Sequence, residues 1–266
     1  MTRRNIFKTS APLVMAMLLT GSMASGQVRA DSGTEVSVGA EHSWGKYGSQ
    51  DETDSWYYPV TLRHWQERWT WGVTVPYVRI SGPAAVVGSL GNQIVFTPNT
   101  GMVRKTVSGL GDIEASATYL ALNDPESGWQ GNIAAKLKLP TGDASAGLGT
   151  GSRDYAVEGT LQRSLGPVTA FGNSGWRHMG NAGTAVLNNV WYMTLGANYG
   201  LLPDVRVGGA WSYRQALVDG SASLRQWTIF LAYTLTPGLT MNAYMLKGYT
   251  DASPEQGGGV MVSHAF

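Results

Sequence analysis

Histidine, serine and the acids are the residue types in this chain that could do catalytic chemistry, and their spacing does not arrange them for it. His178 follows Ser174 in Gly172-Asn173-Ser174-Gly175-Trp176-Arg177-His178. On a strand, an i, i+4 pair lies about 13 Å apart, too far to share a proton. No Gly-x-Ser-x-Gly frames the serine, and no neighbouring base activates it. His42, His64 and His264 fall on the apolar parity of their segments, the wrong side for a base working in a polar interior. Asp51, Glu52 and Asp54 cluster without the spacing of a calcium loop. The stretch Gly147-Leu148-Gly149-Thr150-Gly151-Ser152 has no helix after it to hold a phosphate. There is no cysteine, which removes a thiol nucleophile, a disulfide scaffold and a zinc finger. The expectation is a protein that is not an enzyme and has no cofactor and no metal.

The remaining charges suggest a different kind of chemistry. Glu35, Glu41, Arg63, Glu114, Lys136, Lys138, Glu158, Arg177, Arg206 and Arg214 all take the polar parity of alternating segments. They are expected to line an interior wall. Glu114, the Lys136/Lys138 pair and Glu158 come from successive segments and are expected to form an acid–base–acid ladder, with Arg63 meeting Glu41. Arg177, Arg206 and Arg214 give the later half a basic side. Such a wall can act as a charged constriction that selects solutes. Equally, it can pair up to fill a narrow interior, and both readings stay open at this stage.

The elements that must carry these residues are strands. From residue 34 the apolar signal has period two: Val36, Val38, Ala40 and Trp44 alternate with Glu35, Ser37, Gly39, Glu41 and Ser43. Trp69, Trp71, Val73, Val75 and Tyr77 repeat the pattern, as do Trp191, Met193, Leu195, Ala197 and Tyr199, and Trp227, Ile229, Leu231, Tyr233 and Leu235. Twelve such segments are expected, at about 34–44, 55–65, 69–80, 112–122, 128–139, 154–164, 168–179, 189–201, 205–216, 223–235, 239–248 and 257–266. Each is near the roughly 9–11 residues that cross a bilayer when tilted. Short turns alternate with longer loops, the asymmetry of bacterial outer-membrane barrels. The longest loop, 81–111, carries its own apolar clusters; it either folds into the mouth as a constriction or extends two strands beyond the membrane. Tryptophan and tyrosine gather toward segment ends, as in interfacial girdles.

Composition agrees. Charged residues are 14%, against roughly 25% in soluble domains. The mean hydropathy is −0.12, so apolar residues have not replaced them. The 35 Gly, 10 Trp and 12 Tyr fill the gap, with only 5 Phe. A basic nucleic-acid binder and a helical membrane protein are both excluded on these grounds. Residues 1–30 have the layout of a cleaved secretory signal peptide: Arg3, Arg4 and Lys8, then an apolar run from Ala11 to Leu19, then small residues up to Ala30. Residues 31–266 would form the barrel. The last residues, Val260-Met261-Val262-Ser263-His264-Ala265-Phe266, end an alternating strand on an aromatic, as the signal read by the barrel-assembly machinery does, with Phe266 as its key residue.

Two motifs go beyond periodicity. Gly109-Leu110-Gly111-Asp112 opens the fourth segment, and Leu137-Lys138-Leu139-Pro140-Thr141-Gly142-Asp143 closes the fifth. With Arg153-Asp154-Tyr155 before the sixth, the chain resembles a family of bacterial outer-membrane transporters related to the meta-pathway of phenol degradation. The resemblance implies a β-barrel and, loosely, passage of small hydrophobic or aromatic compounds. Physically, Gly111, Asp112, Gly142 and Asp143 suit turns at the rim, where carboxylates accept backbone N–H bonds; binding of solute is the second reading for the two acids.

The expectation is therefore an all-β, twelve-stranded antiparallel transmembrane barrel in a Gram-negative outer membrane, acting as a passive channel for small molecules. The alternative is a non-conducting structural or adhesive barrel whose lumen is plugged by salt bridges. The expected partners are outer-membrane lipid and lipopolysaccharide, the barrel-assembly machinery and a small-molecule solute, with no nucleic acid.

Overall fold

A computed structural model describes residues 32–82, 84–90, 93–98, 105–182 and 186–266, with backbone alone for 84–90 and 93–98. The expected signal peptide lies outside the described residues. β-Branched and aromatic residues at every second position favour a pleated surface with two unlike faces, and the described residues fold as strands joined by turns and loops. In order they are β1 (Ser32–Gly45), β2 (Thr53–Gln66), β3 (Trp69–Gly82), β4 (Ala84–Leu90), β5 (Gln93–Pro98), β6 (Lys105–Leu110), β7 (Ile113–Asp124) and β8 (Trp129–Leu139). They continue with β9 (Asp154–Leu165), β10 (Val168–His178), β11 (Val190–Leu202), β12 (Val205–Arg214), β13 (Leu224–Thr236), β14 (Leu239–Gly248) and β15 (Gln256–Ala265).

The sheet is an antiparallel meander that closes on itself. Consecutive strands pair from β1 to β3 and from β7 to β15, β3 joins both β6 and β7, and β1 pairs with both β2 and β15, so Glu35 faces Arg63 on one side and Ala265 on the other. Closure of the wall removes the free edges of the sheet that hydrocarbon would not tolerate. Twelve strands make the barrel, as expected. The segment 81–111 departs from a plain loop. β3 runs on to Gly82 and β6 pairs beside its upper half, Tyr77–Gly82 against Lys105–Leu110. β7 pairs with its lower half, Trp69–Thr74 against Glu114–Tyr119. β6 and β7 thus act as one strand interrupted at Gly111–Asp112. β4 and β5 pair with each other as a separate hairpin. β3 and β6 supply the strand extension that is one of the two expectations for this segment.

The two ends of the barrel differ. At one end the turns are two to four residues, with Gly166 and Gly238 taking φ of 61° and 85°, the left-handed region that a tight turn requires. At the other end the connections are long. β1 begins and β15 ends on the short-turn side. The faces also differ. Outward residues are apolar and exposed, with Val60 at 51%, Ile229 at 65% and Met245 at 66%, a continuous surface that only lipid would cover well. Inward residues are polar and buried, among them Ser37, Thr61, Asn198, Ser212, Thr228 and Ser263. Aromatic rings cap the outer face at both levels. His42, Trp56 and Tyr58 stack near the long loops, and Trp69, Trp71 and Tyr119 cluster near the short turns.

Candidate functional site

The inner wall brings its charges together at three heights. At the middle, Lys136 on β8 puts Nζ 2.8 Å from Glu158 Oε2 on β9, and the Tyr192 hydroxyl on β11 donates to the same oxygen at 2.9 Å. Gly175 on β10 lies between them; a side chain there would meet the Tyr192 hydroxyl at 2.5 Å. Arg177 on β10 reaches Glu114 on β7, Nη2 to Oε2 2.9 Å. Those strands are three steps apart, about 14 Å of wall at the usual strand spacing. The bridge is therefore carried across the lumen side of β8 and β9 rather than along a single strand pair. Opposite, the Tyr244 hydroxyl donates to Glu41 Oε2 at 2.7 Å.

Near the short turns, Arg63 meets Glu35 at 2.8 Å, Ser37 and Ser263 bond at 2.8 Å across the closing seam, and Arg206 donates to Asn198 Oδ1 at 3.0 Å. Phe171 on β10 and Phe230 on β13 stand 6.4 Å apart inside the wall, each over a glycine, Gly196 and Gly208, of a neighbouring strand. Arg214, at the long-loop end of β12, has no carboxylate partner among the described residues.

At the long-loop end, Asp112 ties a loop into the mouth. Its Oδ1 accepts from the Gly142 backbone N–H at 3.0 Å, and its Oδ2 accepts from the Thr150 N–H at 3.2 Å and from Lys138 Nζ at 2.9 Å. Lys138 also donates to the Thr150 hydroxyl and stands 3.3 Å from Asp154 Oδ2. Gly142 and Gly149 are required by this close approach: a Cβ at Gly142 would lie 2.6 Å from the Leu148 carbonyl, and one at Gly149 would strike the Asp112 carboxylate. Asp143 does turn work alone, accepting from the Ser145 hydroxyl at 2.6 Å, the Ser145 N–H at 2.9 Å and the Ala146 N–H at 3.1 Å. Those bonds, the Ser145 hydroxyl foremost, hold its carboxyl below the usual value.

The tied loop carries an apolar residue inward. Leu148 packs in a buried cluster with Tyr47, Tyr57, Val78 and Ile80. Burial pushes the Tyr47 phenol above its ordinary value, so it stays a neutral ring. A second buried cluster, Met179, Leu187, Val190 and Leu217, belongs to the loops on either side of β11 and β12. Two buried apolar clusters thus stiffen the loops of the outer mouth above a charged wall.

All nine expected lumen charges, Glu41, Arg63, Glu114, Lys136, Lys138, Glu158, Arg177, Arg206 and Arg214, lie on the inner face and are buried. Their pairing corrects two expectations. Arg63 meets Glu35, not Glu41, because the β1–β2 register sets Glu35 opposite Arg63 and Glu41 opposite Tyr57. The acid–base–acid ladder holds for Lys136 and Glu158 only. Glu114 turns to Arg177, while Lys138, directly opposite Glu114 in register, is drawn to Asp112 and Asp154. Arg177 is accordingly tied to an acid, and the basic side of the later half reduces to Arg206 and Arg214. Asp112 does more than the turn chemistry expected of it, since it also holds a buried ammonium. Asp154, Tyr192 and Tyr244 were missed as partners; each shares the parity of the charges beside it, which is the signal that would have found it.

Outside the wall, His42 Nε2 stands 2.5 Å from Asp54 Oδ2 on the outer face, and His178 stacks on Tyr155. Among the described residues, no three His, Asp or Glu are grouped to hold a metal ion.

A closed antiparallel barrel with a lipid-type exterior and a polar wall defines a porin-like outer-membrane β-barrel. The chain belongs to the family described as "Putative MetA-pathway of phenol degradation", whose model matches residues 25–266. No curated protein matches it in sequence. Among solved structures it is similar to the KdgM porin, at 11% identity and TM-score 0.51, covering 87% of this chain and 99% of that one. It is also similar to the CymD monoaromatic hydrocarbon channel, at 10% identity and TM-score 0.43, covering 89% and 88%. The P. putida toluene transporter TodX matches at 10% identity and TM-score 0.42, covering 88% and 89%.

Proposed function

We propose that the chain is an outer-membrane channel that lets small hydrophobic or aromatic molecules pass down their gradient, and that it is not an enzyme. The observation that carries this reading is the mouth: two buried apolar clusters beside a wall of paired charges. A solute that enters between these apolar-packed loops meets a wall whose charges are largely neutralised in pairs. Glu41, Arg63, Glu114, Lys136, Lys138, Glu158, Arg177, Arg206 and Arg214 would set the width and field of the lumen. Family membership supports the solute class. The test is uptake by proteoliposomes holding the folded barrel. Phenol or toluene should enter faster than into protein-free vesicles, and a disaccharide should not.

A second reading, a structural or adhesive barrel with a plugged lumen, is favoured by how deeply the charges are buried, none above 8% exposed. In that case no solute would enter faster than through lipid alone.

A further inference from the structure

Four buried cations of the inner wall face carboxylates: Arg63, Lys136, Lys138 and Arg177. Arg214 does not, although it is 3% exposed and its Nε and Nη1 are buried with no hydrogen-bond partner. The charge within its electrostatic reach is another cation, Arg177. Beside it on β13, both polar atoms of the Gln226 amide and the Thr228 hydroxyl are buried and unpartnered as well. Register sets Arg214 opposite Leu224, so Gln226, two residues on, is its diagonal neighbour on the same inner face. An isolated buried guanidinium is costly to keep, as are buried polar groups without partners. A native fold that leaves several of these groups adjacent on one patch of wall is missing an acceptor there.

The surroundings say what kind of acceptor. One uncompensated positive charge fits a monoanion, and the planar guanidinium fork suits a carboxylate. Directly above, Val190 is on the same inner face as Tyr192, which lies opposite Arg214 in register, and Leu217 follows three residues after Arg214. Both belong to the apolar cluster with Met179 and Leu187. We propose that Arg214 and Gln226 form a subsite for the carboxylate of a small organic acid whose apolar body lies toward the buried cluster of Met179, Leu187, Val190 and Leu217. This deepens the channel reading, on which it rests, by naming the solute class as amphipathic monocarboxylates.

The test is titration of the folded full chain in detergent micelles, with benzoate, its neutral isostere benzamide and acetate as probes. Benzoate should bind saturably, and benzamide and acetate each at least ~10-fold more weakly, the scale of one charge-assisted contact or one buried apolar body. Arg214→Met should weaken benzoate by at least ~10-fold, and Gln226→Leu by less. Arg163→Met, exposed on the outer face of β9, should leave benzoate binding unchanged. Heat-modifiable gel mobility of Arg214→Met should match or exceed that of the parent barrel, because the variant removes an unpaired charge. A structural role for Arg214 would lower it. Equal binding of benzoate and benzamide, or benzoate binding indifferent to Arg214→Met and Gln226→Leu, would overturn the subsite; acetate as tight as benzoate would overturn its apolar half. Arg214-dependent binding in a barrel that passes no solute would remove the channel reading and keep the subsite. Solute flux without Arg214-dependent binding would do the reverse.

Discussion

Replacing Asp112 with alanine should release the loop between β8 and β9 from the mouth. Asp112 supplies the acceptor for the Gly142 and Thr150 amides, at 3.0 and 3.2 Å, and Lys138 crosses to the same carboxylate at 2.9 Å. Hydrogen bonds to a charged group contribute about 1.5–3 kcal/mol each, so the two amide bonds hold the loop by about 3–6 kcal/mol. Lys138 keeps Asp154 at 3.3 Å, so its own loss falls below the roughly 3–5 kcal/mol of a fully broken buried pair. Water replaces part of the amide bonding once the loop lifts, which places the net effect near the lower figure of about 3 kcal/mol, or roughly a hundred-fold rise in the open population. The chain has no cysteine, so a single one introduced as Leu148→Cys reports cleanly. Leu148 is buried in the mouth cluster. Its thiol-labelling rate should rise roughly a hundred-fold when Asp112→Ala is added. Asp112→Asn, which retains one acceptor oxygen, should fall between. An unchanged labelling rate in Asp112→Ala would refute the view that this carboxylate holds the loop.

Two further predictions follow from the same structure. Ile229→Arg places a charge near the middle of β13, on the outer face where Ile229 is 65% exposed, and should destabilise the barrel in bilayers by about 2–4 kcal/mol, read from the urea midpoint of folding into vesicles. A barrel facing water would tolerate it. The Asp143 carboxyl is held below its usual value by the Ser145 hydroxyl and then the Ala146 N–H. A lowered value in the folded state means that the turn's stabilisation is fully present above the ordinary carboxylate range, near pH 4, and is lost as the pH falls through the folded value. The Ser145 and Ala146 amide signals in micelle NMR should move over that acid range, and Asp143→Asn should flatten the change.

Period-two alternation made most of the barrel legible in the sequence, because side-chain parity is a purely local property of a strand. The parity of Val36, Trp69 or Ile229 therefore told outside from inside, and the nine charges of the opposite parity are buried on the inner face. Pairing is different. The Glu35–Arg63 contact depends on the stagger between β1 and β2, and the Arg177–Glu114 bridge on how three strand steps curve the wall. Neither quantity is written in a single segment. The interruption at Gly111–Asp112 hides in the same way. Its glycine and acid look like a rim turn, and only the partners Gly142, Thr150 and Lys138, brought in from another hairpin, make it the tie of the mouth.

Single-channel conductance of the folded chain in a planar bilayer tests the central claim most directly. The account predicts discrete steps, and larger ones when Arg177→Met and Glu114→Gln together remove the bridge carried across β8 and β9. A barrel proven folded by its heat-modifiable mobility, yet silent both as the parent and with the bridge removed, would contradict it.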